Sequence, residues 1–368
     1  MPKQKTDFIH FNKDFYSSSH NRKEIAKKVD NLLAESEAKN KLIAAVIPFS
    51  STKNPIEWLS ESSKISLIQK GDVSQFKQDF YSREEVKIEE GRFFIYEHPK
   101  YKQIYIALTL EERGFQNKWI AFFRRLPPRI MTTFIKQQRL KELLEQFQEN
   151  NAFDKLIVKR ASSKNRIEQD GEEKDISTVD WLGMPIAEAF ELAYQRNGWF
   201  KSLQFEAIKN LRRYATISLS RDGVIKTNNL FSQVFESFIT PICKIIYDNI
   251  RLFGNRSRRD NETLSPRPLV IDFEREQFAE VSENAKFIQA MRQFETASVS
   301  VLHGNPYIHL SVVDYFDGSA FDIWVLSSDK LIIVPQMKGS VPAIKRIINH
   351  IFDTYAEGRI RDYEEISR

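Results

Sequence analysis

At 368 residues the chain exceeds one ordinary core of about 100 to 200 residues, so two domains, or one domain with a large extension, are expected. Hydrophobic residues make up 41% and charged residues 29%, with 28 Phe against 12 Gly, a globular balance that excludes fibrous and disordered classes. The one cysteine, Cys243, excludes an internal disulfide framework and a cysteine-rich zinc cluster, and the net charge of +5 is small for so long a chain.

The amino-terminal residues MPKQKTDFIHFNKDF lack an apolar signal core, and the longest apolar stretch, Leu230 to Phe253, is interrupted by Glu236, Lys244 and Asp248. Neither a leader nor a membrane span is expected, and a reducing, cytoplasmic setting is. His20 to Asn40 carries a helical pattern with Ile25, Val29, Leu32 and Leu33 on one side, so residues 1–40 read as an arm followed by a helix. Lys41 to Ser50 is a short apolar run, and Arg92 to Leu110 reads as two strands joined at Pro99. Thr132 to Phe147 looks helical and Lys155 to Arg160 looks like a strand, which makes residues 41–170 a basic α+β domain. The polar segment Ala161 to Thr178 is the first candidate boundary.

From residue 171 to 368 a second α+β domain is expected. It opens with helices over Pro185 to Tyr194 and Ser202 to Arg213, then a hairpin, ATISLSRDGVIKT, with Asp222 and Gly223 in its turn. A long helix over Asn229 to Phe253, kinked at Pro241, and an Arg- and Pro-containing linker over residues 254–268 follow. The last portion carries the clearest pattern. Ile308, Leu310 and Val312 alternate with polar positions, as do Phe321, Ile323 and Val325. Three turns at residues 303–306, 316–319 and 327–330 then divide a four-strand antiparallel meander. Ser340 caps a closing amphipathic helix whose stripe runs through Ile344, Ile347, Ile348, Ile351 and Phe352 until Gly358. The fold class read from the sequence is therefore α+β, with a mixed N-terminal part and a C-terminal meander packed by a helix.

The charge is segregated along the chain. Arg113 to Lys141 holds Arg113, Lys118, Arg124, Arg125, Arg129, Lys136, Arg139 and Lys141 with no Asp or Glu in 29 residues. Residues 113–166, which add Lys159 and Arg160 among others, carry thirteen Lys and Arg against four Asp and Glu, a net +9. From Leu269 onward ten Lys and Arg stand against fifteen Asp and Glu, a net −5. Cations interleaved with Phe115, Trp119, Phe122, Phe123 and Phe134 are what nucleic acid asks for, charge for the phosphates and aromatic faces for unpaired bases. The bland alternative is that the aromatics are core and the cations are the solvated side of ordinary elements. A membrane-surface helix, the third use of such a stretch, is broken by Pro127-Pro128.

Carboxylates in pairs point to divalent-metal chemistry, since Mg²⁺ takes oxygen ligands. In LVIDFERE, an apolar strand leads into Asp272 and Glu274, two residues apart. This resembles the first acidic motif of the DEDD-type 3′-5′ exonucleases, although Arg275 stands where that motif has Thr. SRDGV resembles the Arg-Asp-Gly-Val turn of Argonaute PIWI domains and places Asp222 at the position of a catalytic Asp, while Asp-Gly is also a common hairpin turn. In the meander, Asp329 and Lys330 are adjacent, whereas a restriction-like nuclease spaces its acid and Lys by one residue; Asp317 and Asp329 read as turn residues, leaving Asp314 and Asp322 without an account. His303 and His309 share a hairpin but lack metal-binding spacing, and there is no phosphate-binding Gly-rich loop.

The sequence thus points to a nucleic-acid-binding accessory protein, such as a subunit of a prokaryotic DNA- or RNA-processing or antiviral defence system. DNA or RNA would be bound through Arg113, Lys118, Trp119, Arg124, Arg125, Arg129, Lys136, Arg139, Lys159 and Arg160, with no cofactor. The acidic C-terminal domain would serve a protein partner or self-association. The alternatives are a Mg²⁺-dependent nuclease using Asp272 and Glu274, with Asp222 as a further candidate, and an interaction scaffold that binds no nucleic acid.

Overall fold

The computed structural model describes residues 14–36, 42–51, 53–82, 86–126, 129–165, 181–196, 198–254, 267–336 and 338–363. Most of the expected linker at residues 254–268, the Pro127-Pro128 pair and the later part of the 161–178 segment lie outside them. The chain divides into two compact units, one of Met1–Ser163 and Ile176–Tyr247 and the other of Lys164–Asp175 and Asp248–Arg368.

The first unit is built on a ten-stranded sheet. Its strands are β1 (Ala44–Ser51), β2 (Ile65–Gln69), β3 (Ser74–Tyr81), β4 (Lys87–Glu97), β5 (Ile104–Thr109), β6 (Ile130–Met131), β7 (Lys155–Asn165), β8 (Gly198–Lys209), β9 (Arg212–Ser220) and β10 (Ile225–Thr227). The order is β2-β3-β4-β5-β1-β10-β9-β8-β7, with β6 paired to β1. Strands from both sides of the 161–178 segment therefore share one sheet. Pro48 sits inside the central strand β1, which a missing N–H ordinarily forbids. On the side away from β5, β1 pairs with β10 through Ala44–Val46 and with β6 through Ser50–Ser51, so there Pro48 falls between the two ladders.

The helices of this unit are α1 (residues 14–17), α2 (Ile25–Ser36), α3 (Pro55–Ser60), α4 (Arg113–Arg124), α5 (Gln137–Asn150), α6 (Ile186–Gln195) and α7 (Phe231–Val234). A π-helical turn, Phe235–Ile239, joins α7 to α8 (Thr240–Phe253). At Pro241, where the sequence pattern places a kink, the backbone widens just before the proline, and Thr240 N–H donates to Phe235 C=O, five residues back. The helix expected over Ser202 to Arg213 is a correction. Leu203, Phe205 and Ala207 are buried in alternation, so the segment is strand, and Asn210 and Leu211, both at positive φ, turn it back into β9. α3 and α4 bury Trp58, Leu59, Phe115, Trp119, Ile120 and Phe123 against Ala45, Ile47, Phe49, Phe93 and Ile95 on one sheet face. The opposite face takes Tyr16 stacked on Phe94 and, further along, Phe147 beside Phe205 and Phe238.

In the second unit β11 (Leu269–Phe273), β12 (Ala297–His303), β13 (His309–Asp314), β14 (Ala320–Ser327), β15 (Lys330–Pro335) and β16 (Gly358–Asp362) form a six-stranded sheet in the order β12-β13-β14-β15-β11-β16. The expected four-strand meander is β12 to β15, so the fold is α+β as read. An apolar ladder, Leu310–Ile323–Ile333–Leu269, crosses its inner face. α9 (Val281–Arg292) and α10 (Val341–Thr354) complete the unit, with Ser340 accepting from Ala343 N–H as the cap of α10. α10 ends at Thr354, and Gly358 begins β16 instead of stopping the helix; a Cβ there would meet Ile271 and the Asp272 carbonyl.

Candidate nucleic-acid interface

α4 is amphipathic for a reason visible in its spacing. Phe115, Trp119, Ile120 and Phe123 turn to the sheet, so the 3.6-residue period puts Arg113, Asn117 and Arg124 in one outward stripe about 16 Å long. The fully buried Trp119 lies in the core, its ring against Phe93 and Phe123. It is a packing residue and offers no face to a base, and the same holds for Phe115 and Phe123. These three are corrected from interface to core, while Phe122 and Phe134 are half-exposed.

The cations divide into two sets. Lys118 donates to Glu89 at 2.9 Å, Arg139 to Glu142 at 2.8 Å and Lys159 to Glu206 at 2.8 Å, so these three are bound to acids of their own unit. Burial works against the charge of Glu206, but hydrogen bonds from Lys159 and Arg213 outweigh it and hold the carboxyl below its usual range. Arg113, Arg125, Arg129 and Arg160 are exposed and have no ion-pair partner among the described residues. Arg125 closes the C-terminus of α4, and Arg129 lies over the Trp58 ring at 5.7 Å. Lys136, half-exposed, precedes the first turn of α5.

One residue absent from the sequence reading joins this surface. Lys226 on β10 lies opposite Ala45 and Ser218. Two residues earlier on the same face Val224 packs beneath α4, so Lys226 emerges at the helix's flank. Its Nζ donates to Asn117 Oδ1 at 3.1 Å, and no acid pairs with it among the described residues. Burial, then the nearby charges of Arg113 and Arg124, push its pKa down to about 8. The sequence signal was present: in Ile225-Lys226-Thr227 the lysine alternates with two residues that face inward. Beyond it the sheet face continues as half-exposed polar residues, Ser218 and then Gln204 across the ladder.

Asp222 is at the hairpin turn as expected, where Gly223 takes φ +83°, a value that favours glycine. Its carboxylate accepts from Arg124 Nε at 2.6 Å and from the Ser220 hydroxyl, which accounts for it as a turn residue and counter-ion. The Arg221 beside it is buried, its guanidinium over Phe134 at 4.1 Å and its Nε donating to Ile135 C=O.

No protein-family model and no curated protein matches the chain.

The acidic candidates of the second unit are placed differently from one another. Asp272, near the end of β11, lies 2.7 Å from Arg361 Nε, while β11 ends at Phe273 and leaves the exposed Glu274 outside the strand. The alternation that would have aligned the two carboxylates stops before it reaches Glu274. Asp314 accepts two hydrogen bonds from Arg346, Asp317 accepts from the Ser319 N–H and the Ser340 hydroxyl, and Asp322 accepts from Gln336. The His303 and His309 rings are 6.3 Å apart, and the His309 ring lies tilted against Trp324 at 4.4 Å. Among the described residues no three His, Cys, Asp or Glu side chains come together as a metal site would require, and no helix is long and apolar enough to cross a membrane.

Proposed function

We propose that the protein binds nucleic acid through the outer stripe of α4 and the adjoining face of β10, contacting phosphates without reading bases. The observation that carries this is Lys226. It is a half-buried ammonium flanked by Arg113 and Arg124, with a neutral amide as its hydrogen-bonding partner. Asp222 answers Arg124 alone, so the grouping stays net positive and is relieved by a further anion. The stripe is linear and about 16 Å long, which suits successive phosphates of a strand better than a single compact anion. Exposed Arg125 and Arg129 extend it past the end of α4.

The test is fluorescence anisotropy of labelled DNA and RNA oligonucleotides as salt is varied. Log affinity is expected to fall linearly with log salt, and Arg113→Ala or Lys226→Ala to lower the slope by about 0.7 to 0.9 each. Arg124→Ala with Arg125→Ala should weaken all sequences alike. Lys226→Arg, which keeps its charge, should bind at pH 9 as at pH 7, whereas the wild type weakens as Lys226 loses its proton. No binding at low salt, or a change confined to sequence preference, would refute the proposal.

A further inference from the structure

The two edges of the second unit's sheet differ in kind. β16, at one edge, reads Gly-Arg-Ile-Arg-Asp, and its charges are the usual guard against another strand adding to the sheet. β12, at the other edge, reads Ala-Ser-Val-Ser-Val-Leu-His and contains neither a charged residue nor a proline. Its pairing with β13 is regular from Ala297 to Val301, and the one irregularity comes after Val301. Along this edge Ser298, Ser300 and Leu302 are exposed, and Leu302 is 51% so. Val299 and Val301 point to the inner layer but are only half covered, whereas Leu310, opposite Val301 on β13, is fully buried. An apolar layer that is closed one strand inward is left unfinished at the edge.

We infer that β12 pairs antiparallel with β12 of a second copy of this chain, joining two six-stranded sheets across a two-fold axis at Ser300. A strand edge selects a strand, because what it offers is a row of backbone donors and acceptors. The sequence of β12 selects itself. In the antiparallel register centred on Ser300, Val299 stands opposite Val301 of the second copy and completes the inner layer on both sides of the axis. Ser298 stands opposite Leu302 of the second copy on the outer side. No opposed pair sets like charges together, which a two-fold pairing of β16 would do. A seven-residue strand is about 24 Å long, and pairing along it covers an area at the low end for specific interfaces.

The contact is independent of the nucleic-acid surface and is tested without it. Sedimentation velocity of the full chain from about 1 to 200 μM should show a monomer–dimer equilibrium. Ser300→Lys places two cations face to face on the axis and should raise the dissociation constant at least roughly tenfold, with an unchanged circular dichroism spectrum. Should that variant disturb the fold, Ser298→Lys with Leu302→Lys, both at exposed positions, creates the same clash. Ser298→Glu with Leu302→Lys sets opposite charges against each other in this register and should keep the dimer. A wild type that stays monomeric overturns the inference. So does a dimer that survives the like-charge variants, or one that the opposite-charge pair abolishes as fully as the like-charge pair.

Discussion

Replacing Arg346 by Met should be among the most damaging single changes in the second unit. Asp314 is completely buried on β13 and accepts from Arg346 Nε at 2.8 Å and from a second guanidinium nitrogen at 2.7 Å, while the Phe316 N–H supplies a third bond. The guanidinium, itself 14% exposed, also lies over the Phe316 ring at 4.9 Å. Arg346→Met keeps most of the side-chain volume but strands a buried carboxylate with one backbone donor, at a cost of about 3 to 5 kcal/mol. In a unit of this size that corresponds to a fall in melting temperature of roughly 10 to 20 °C. Urea denaturation followed by circular dichroism measures it, and Asp314→Asn with the double variant completes a thermodynamic cycle. If the aspartate and arginine are a fastener, the double variant costs less than the sum of the single ones. A loss below about 1 kcal/mol for Arg346→Met, or strict additivity, would refute the account and return Asp314 to the pool of functional acids.

Glu111 provides a pH signature in the first unit. Burial raises its pKa from 4.5 to about 7, against the opposing hydrogen bond from Arg92 N–H, so its contribution is fully present below pH 4.5 and is lost as the pH rises through 7. Glu111→Gln should therefore stabilise the protein at pH 8 by at most about 3 kcal/mol and flatten stability between those limits, as read by urea titrations at several pH values. Lys345 shows the opposite case: burial lowers its pKa from 10.5 to about 7, and stability is lost as the pH falls across that range. Lys345→Met should raise the urea midpoint at pH 7, by roughly 2 to 5 kcal/mol in free energy. A Cβ at Gly91 would meet the Phe115 ring at 2.5 Å, so Gly91→Ala should cost about 1 to 3 kcal/mol by pushing α4 off the sheet, and a neutral outcome would show that the ring has room to move.

The parts of the fold legible in the sequence are those where one face is buried and the period is clean. The meander and α10 carry alternate and 3.6-residue apolar patterns, so their residues announce both the element and its inner side. The segment Ser202 to Arg213 misled because Phe205, Ile208 and Leu211, three residues apart, also fit one side of a helix; pairing with β9, which lies later in the chain, made it strand. The strand β11 was readable, but its place between β15 and β16 was not, because strand order depends on contacts across some ninety residues.

The basic stretch from Arg113 divides the same way. Its charge excess is a fact of sequence, and it located the helix that bears the candidate interface. Which cations are spent was decided by the fold, since Glu89 lies on β4 and Glu206 on β8, far from the lysines they hold. The aromatics between the cations could serve either a base or a core, and only the sheet under α4 assigned Trp119 and Phe123 to the core. Lys226, more than a hundred residues from Asn117, reaches the stripe because β10 pairs with β1 beneath the helix. Local patterns determined most of the elements and the charge, because both are written in neighbouring residues. The grouping of Lys226 with Arg113 and Arg124, and the edge strand left without a guard, came from strand order, which neighbouring residues do not encode.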